Sequence, residues 1–333
     1  MKKIWLRKNG GPEVLQLEEN TPLSEIGPRD VWIQVHYSGI NFADIVMRLG
    51  LYPAAPPKPF VPGYEVSGIV EKVGSAVTRV KVGDQVLGGS LFGGYASQVC
   101  VSEDLVFPLP KGWTLAEGAA MPVNWITAHA AIMDMGRVRK GDKVLLDAAT
   151  GGVGTIALQM LNRIGAETIG LTSSPAKCSY IESFGAKAMT HEEFKTKGQD
   201  LRFDFILNSQ GGKTVRDHYN QLTSTGRVVA LGISSAIQDG KRNYLTLLKT
   251  ILSMPKFSLV SMFDKNRGVY ALNALTLLQD EEYKKTLQGK WEIVSDFSMK
   301  PHVDKIFPAK EAGKAHRYLE SKQARGKVVI GWV

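Results

Sequence analysis

Cysteine is scarce. The 333-residue chain has two, Cys100 and Cys178, far apart in the sequence. Two cysteines build neither a disulfide framework nor a four-cysteine zinc lobe, and the scarcity fits a reducing cytoplasm. Long apolar runs are missing as well. None approaches the ~18 residues that a membrane-spanning helix needs, and "FSLVSMF" at 257–263 is too short. The basic start "MKKIWLRKNGGPEVLQLEE" lacks an apolar core, so no signal peptide is expected. No run of five like charges, zinc-finger spacing or aromatic RNA-binding signature occurs. The net charge of +9 therefore reads either as a solvated basic surface or as a weak attraction for phosphorylated ligands or anionic lipid. No nucleic-acid partner is expected.

What is present is ample apolar material, 44% of the residues, and 34 glycines. The length suggests roughly two domains. Three textures follow one another. Up to about residue 120 the chain is β-rich and cut by glycines ("VWIQVHYSGI", "YEVSGIVEKVG", "YASQVCVSEDLVFPLP"), which predicts a mostly antiparallel barrel or sandwich. The proline-rich "YPAAPPKPFVPG" at 52–63 reads as a stiff surface loop. From about 124 to 263, strands at 143–149, 167–172, 186–190, 203–207, 227–232 and 257–262 alternate with helices at 155–165, 175–185, 212–224 and 243–254. That alternation predicts a doubly wound parallel sheet. A helix at 124–135 leads into it. From about 290 the pattern returns to strand, helix, strand ("WEIVSDFSMKPHVDKIF", "AGKAHRYLESKQ", "KVVIGWV"), too short for a domain and suited to completing the N-terminal one.

The segment "DAATGGVGTIALQM", 147–160, is one glycine short of G-x-G-x-x-G, with Ala149 in the first place and Gly151 and Gly154 in the others. Its context passes the test for a dinucleotide loop: a strand before, a helix after, and a second strand closing the βαβ unit. Ala149, Gly151, Gly152, Val153 and Gly154 are the candidate contacts, with the helix N-terminus offering positive dipole to a pyrophosphate. A purely structural turn is the competing reading. Enzymes that use NAD place Asp or Glu about 20 residues on, whereas position 174 is serine in "TSSPAK". Ser173, Ser174 and Lys177 could instead bind a 2′-phosphate, which favours NADPH. Otherwise Ser174 caps a helix starting at Pro175, and Lys177 is solvated.

"NFADIVMRLGLYP", "PFVPGYEVSG", "VGDQVLG", "GAAMPVNWITAHAA", "AATGGVG" and "GKVVI" occur in that order. Together they resemble the quinone oxidoreductase (zeta-crystallin-like) branch of the medium-chain dehydrogenase/reductase superfamily. "KRNYLTLLKT", "DKNRGV" and "KPHVDKIFP" are most similar to its vesicle amine transport subgroup. The resemblance implies an α/β protein: a GroES-like β-rich domain from 1–123 and 271–333, split around a Rossmann NADPH-binding domain at 124–270, with the active-site cleft between them. The zinc ligands of the related alcohol dehydrogenases would fall at Asn41 and Tyr64, neither a plausible zinc donor, so metal-independent chemistry is implied.

By the same resemblance Asn41, Tyr52 and Thr127 line the nicotinamide and substrate site of a reductase that transfers hydride from NADPH to a quinone or α,β-unsaturated carbonyl. Conjugation spreads the developing charge, so positioning and a few hydrogen bonds suffice. Each also has a plain reading: a turn asparagine, a packed tyrosine, a helix threonine. Asp44 reads as structural or orienting, and solvent as a proton source. His191 stands where relatives carry a tyrosine near the adenosine phosphate. Gly232 and Ile233 would meet the nicotinamide half, and Lys327, with Arg325, would approach the cofactor. A homodimer paired through strand 257–262 is expected. The alternative function is an NADPH-binding, weakly membrane-associated adaptor with little catalysis.

Overall fold

The computed structural model describes residues 1–19, 25–232, 249–250 and 252–332. The chain forms two compact units, one holding Met1–Val123 and Leu275–Val333, the other the described residues from Asn124 to Ala274. In chain order the strands are β1 Lys3–Leu6, β2 Leu15–Glu18, β3 Asp30–Ile40, β4 Glu65–Val73, β5 Gln85–Gly89, β6 Gln98–Ser102, β7 Val106–Pro108, β8 Lys143–Leu146, β9 Glu167–Thr172, β10 Lys187–Thr190, β11 Phe203–Asn208, β12 Leu222–Ala230, β13 Gly268–Ala271, β14 Val303–Pro308 and β15 Lys327–Gly331. Among the described residues no helix is long and apolar enough to cross a membrane.

The first unit is built around β3. Its alternation buries Val31, Ile33 and Val35 against Val66, Val70, Val86, Val99 and Val106, branched side chains that suit a pleated surface. β3 pairs antiparallel with β4, β6 and β15, giving the order β14-β15-β3-β4-β5-β7 with β6 also on β3. The C-terminal residues thus complete the sheet that the N-terminal ones begin. β14 and β15 run parallel, which requires a crossover, supplied by the helix Ala312–Glu320. The stretch "WEIVSDFSMKPHVDKIF" is not one strand. Its first part belongs to the helix Glu281–Asp296, and the strand begins at Val303. Helical spacing wins because Leu287, Trp291 and Val294 share one face. Leu287 and Val294 are buried, and Trp291 packs on Phe107 with centroids 4.8 Å apart.

The second unit is a six-stranded parallel sheet, ordered β10-β9-β8-β11-β12-β13. Helices Gly152–Ile164, Cys178–Glu182, His191–Lys197 and Lys213–Asn220 connect its strands, the doubly wound arrangement that the alternation predicts. The last strand differs. Residues 257–262 are not a strand: Leu259–Phe263 is a short helix, and the edge strand is β13, Gly268–Ala271. Apolar content alone does not separate helix from strand in so short a run. Here Leu259, Val260 and Phe263 are 71–73% exposed, whereas Val269 packs on the core. The helix read at 124–135 is α-helical over Pro122–His129 and π-helical over Ala130–Met135. The helix read at 243–254 lies largely outside the described residues.

Candidate functional site

In the second unit, the glycine turn follows β8. Ala148 carries the positive φ of +56°, not Ala149, so alanine at the first motif position costs no left-handed strain. Ala149 is buried, and its N–H donates to Leu171 O at 3.0 Å. Gly154 is required by contact. A Cβ there would lie 2.5 Å from Ala148 O and 2.6 Å from Ala149 O, and at Gly152 one would meet the Asn124 side chain at 2.6 Å. Gly151 differs, since among the described residues a Cβ would meet only Ala148 O, at 3.5 Å. Gly151 is the N-cap of Gly152–Ile164 and provides no side-chain cap. The first amides of that helix, those of Gly152, Val153 and Gly154, have no carbonyl one turn earlier within the helix to bond. An uncapped helix N-terminus beside an open glycine fits an anionic group such as a pyrophosphate.

Around this turn the carboxyl ends of the strands carry polar residues. Ser173 is exposed and Ser174 half-buried. Ser174 precedes a tight turn, Pro175–Lys177, without a side-chain capping bond, so its hydroxyl is not committed as a cap. Lys177 is buried at 8% exposure, which removes the solvated reading. His191 begins the helix His191–Lys197 directly after β10. Its Nε2 lies 3.7 Å from Oδ1 of Asp147, the residue before the turn. The sequence reading missed Asp147. Its carboxylate accepts from Ser209 N at 3.2 Å, Ser209 Oγ at 3.3 Å and Gln210 Nε2 at 2.9 Å. A lone acid closing the apolar strand "KVLLD" was the available signal. Asn208, fully buried, accepts from Gly211 N at 2.8 Å and pairs with His218 Nδ1 at 2.9 Å. Burial holds His218 below the ordinary imidazole range, against the pull of Asp147 and Asp217. Among the described residues nothing lies within 4 Å of where a Cβ on Gly232 would stand. Ile233 lies outside the described residues. Thr127 is buried on Pro122–His129, just before the π-helical turn.

In the first unit, Asn41 caps the helix Phe42–Arg48 in a capping box with Asp44. Its backbone N–H donates to Asp44 Oδ2 at 2.8 Å. Its side-chain amide donates to Glu65 Oε1 at 2.9 Å and accepts from Lys327 Nζ at 2.6 Å. Lys327 also forms an ion pair with Glu65, and both are nearly inaccessible. Lys327, the expected cofactor contact, thus lies with its ammonium against the Glu65 carboxylate and the Asn41 amide oxygen. Glu65, absent from the sequence reading, accepts from Val123 N at 2.8 Å as well.

Asp44 is wholly buried. It accepts from Gly63 N at 3.2 Å and Tyr95 Oη at 3.1 Å, and Tyr95 Oη lies 3.1 Å from His316 Nε2. Burial pushes the Asp44 carboxyl up to about 7, opposed by these hydrogen bonds and by Lys327. Burial, with Arg48 nearby, pushes His316 down to about 3. Arg48 is itself fully buried and paired with Glu320. Tyr52 is half-buried, packs with Tyr64 and Met47 in one apolar cluster and bonds to the Tyr64 hydroxyl. Tyr64 donates to Met47 Sδ at 3.3 Å. Both positions where zinc ligands would fall, 41 and 64, therefore carry neutral side chains already engaged with protein groups.

Two family signatures match: the alcohol dehydrogenase GroES-like domain at residues 27–111 and the zinc-binding dehydrogenase at residues 186–330. The chain is 30% identical over 326 residues to the synaptic vesicle membrane protein VAT-1 homolog of Danio rerio, covering 95% of this chain and 66% of that protein. It is 28% identical over 339 residues to the quinone oxidoreductase of Rattus norvegicus, covering 99% of this chain and 97% of the relative. It superposes on the Escherichia coli quinone oxidoreductase complexed with NADPH with a TM-score of 0.84, 26% identity and full coverage of both chains. The chain belongs to the medium-chain dehydrogenase/reductase superfamily. The superfamily assignment gives the two units their names: a GroES-like β domain and a Rossmann-like parallel sheet.

Proposed function

We propose that this superfamily member is an NADPH-dependent, metal-independent reductase that delivers hydride to a quinone or an α,β-unsaturated carbonyl. The observation that carries the reading is the uncapped helix behind Gly151, with Ser173, Ser174 and Lys177 on the next strand end and no carboxylate at position 174. These residues fit a dinucleotide: helix amides for the pyrophosphate, hydroxyls and an ammonium for a 2′-phosphate. The rat and Escherichia coli quinone oxidoreductases support the same chemistry. When bound, the cofactor supplies the hydride.

The chain's own residues supply polarisation. Lys327 draws on the Asn41 carbonyl oxygen, and Glu65 takes one amide hydrogen. The second amide hydrogen is the donor for a developing oxyanion. Tyr52 offers a flat ring and a hydroxyl to a flat substrate. Thr127 holds the nicotinamide carboxamide, and Gly232 leaves its backbone accessible to the same half. The chain acts as a homodimer, not through a strand at 257–262 but through the exposed Leu259, Val260 and Phe263 and the edge strand β13 that follows them.

The test is NADPH oxidation by a panel of quinones, enones and aldehydes, with and without a strong chelator. Turnover with quinones or enones that survives chelation supports the proposal. Tight NADPH binding without turnover of any acceptor would favour a dinucleotide-binding adaptor, and loss of stoichiometric zinc together with activity would contradict metal independence.

A further inference from the structure

We propose that Asn124 is a positioning residue of the dinucleotide site: it holds the first turn of the helix Gly152–Ile164 in register with Thr127 and keeps the mouth of that turn uncharged. The inference rests on the reading of the glycine turn as a dinucleotide site. Asn124 is the third residue of the helix Pro122–His129, and its side chain is buried. A Cβ on Gly152 would lie 2.6 Å from both Nδ2 and Oδ1 of Asn124 and 2.9 Å from its Cγ. The two tips are nearer than the carbon that carries them, so the amide meets Gly152 end-on. The equal distances make the contact the same whichever tip is nitrogen.

Every Cα–Cβ bond of a helix leans toward the helix N-terminus. Gly152 is the first residue of its helix, so the Asn124 amide stands on the N-terminal side of that turn. The amides of Gly152, Val153 and Gly154 point to the same side, and an anion bound by them has Asn124 beside it. Position 152 is therefore glycine because Asn124 occupies its side-chain space. Asn124 and Thr127 are three residues apart on one helix and share a face. That helix has little room to adjust, since Trp125, Ile126 and Ala128 on its other sides are buried as well. The contact at Gly152 thus sets how far Thr127 stands from the glycine turn, which is the spacing between the carboxamide and pyrophosphate ends of one dinucleotide. Asparagine suits the place because it is neutral. An aspartate of the same shape would put its own negative charge where the helix dipole attracts one, in competition with the pyrophosphate.

The experiment measures NADPH and NADH dissociation constants by fluorescence titration, with thermal midpoints, for the wild type, Asn124→Asp, Gly152→Ala, Asn124→Ala and the double variant Asn124→Ala/Gly152→Ala. Asn124→Asp keeps the shape of the side chain and should bind both dinucleotides about tenfold more weakly or worse, the effect of a like charge at a helix N-terminus. Gly152→Ala should weaken both by a similar factor, because the new methyl drives the amide off its seat. The preference for NADPH over NADH should stay as in the wild type throughout, since the 2′-phosphate is read as held by Ser173, Ser174 and Lys177. The double variant should bind within about threefold of Asn124→Ala, because the methyl fills the space that the amide vacates and neighbours that share one contact are not additive. A packing role alone would lower the midpoints and leave the affinities unchanged. That result, or losses in the two alanine variants that simply add in the double variant, overturns the inference alone. Should Asn124→Asp not fold, the alanine variants decide by the same criteria. Failure of the wild type to bind either dinucleotide overturns the inference together with the reading it rests on.

Discussion

Lys327 Nζ lies 2.6 Å from Oδ1 of Asn41, joining the start of the last strand, β15, to the N-cap of a helix 286 positions earlier. The same ammonium pairs with Glu65, which is fully buried. Replacing Lys327 by Met removes the cation paired with Glu65 and leaves a buried carboxylate, a loss of about 3–5 kcal/mol. The double variant Lys327→Met/Glu65→Gln should recover much of the stability, since both charges are gone, but not turnover, since Asn41 is still unpolarised. Chemical denaturation and kcat on the three proteins separate the two effects.

Gly151 and Gly154 should respond oppositely to alanine. At Gly154 the new Cβ meets two backbone carbonyls at 2.5 and 2.6 Å, and nothing flexible is there to yield. The expected cost is about 1–3 kcal/mol or more in stability. At Gly151 the nearest atom is 3.5 Å away and φ is −79°, so stability should stay within about 0.5 kcal/mol. The methyl instead occupies the open side of the uncapped helix, and NADPH affinity should fall at least about tenfold, the value of one displaced charge-assisted contact. Thermal midpoints and fluorescence titration read the two outcomes.

These two glycines also show what was legible. The βαβ context, the missing first glycine and the strand–helix alternation of a doubly wound sheet followed from local pattern, because strand–turn–helix periodicity is a short-range property. Glu65, Asp147 and the burial of Lys327 were not legible. Their roles come from partners dozens to hundreds of residues away, and a single acid or amine carries no periodic signal. The segment 257–262 misled because a short apolar run has the same composition as a buried strand, and only its exposure distinguishes the two.

The buried chain Asp44–Tyr95–His316 should leave a signature in stability against pH. Asp44 is raised to about 7 from an ordinary 3.8, so the folded state holds its proton more tightly, and its contribution is full below about 4 and lost as pH rises through about 7. His316 is lowered to about 3 from 6.5, so the unfolded state binds the proton, and stability from this group grows between those values. The two oppose each other. The advantage of wild type over Asp44→Ala should therefore shrink from pH 4 to 7, while its difference from His316→Gln should move the other way between pH 4 and 6.5. Denaturant midpoints at four pH values check both signs.

Leu259, Val260 and Phe263 are exposed on the short helix that precedes the edge strand β13 in the chain. Val260→Asp/Phe263→Asp should preserve the fold, since neither side chain is buried in the chain, and should convert dimer to monomer in sedimentation velocity. A wild-type monomer, or a double variant that remains dimeric, would contradict the assembly.

The central claim is hydride delivery from the nicotinamide to a conjugated acceptor, and isotopic transfer tests it most directly. The protein is incubated with NADPH carrying deuterium at C4, in each stereochemical position in turn, and with an α,β-unsaturated ketone. The product is then read by mass spectrometry and NMR. The expected result is one deuterium at the β-carbon from one stereoisomer only, with the second hydrogen coming from solvent and a slowed rate of NADPH oxidation. Saturated product without deuterium from either stereoisomer, or no consumption of NADPH by any enone or quinone, would contradict the account.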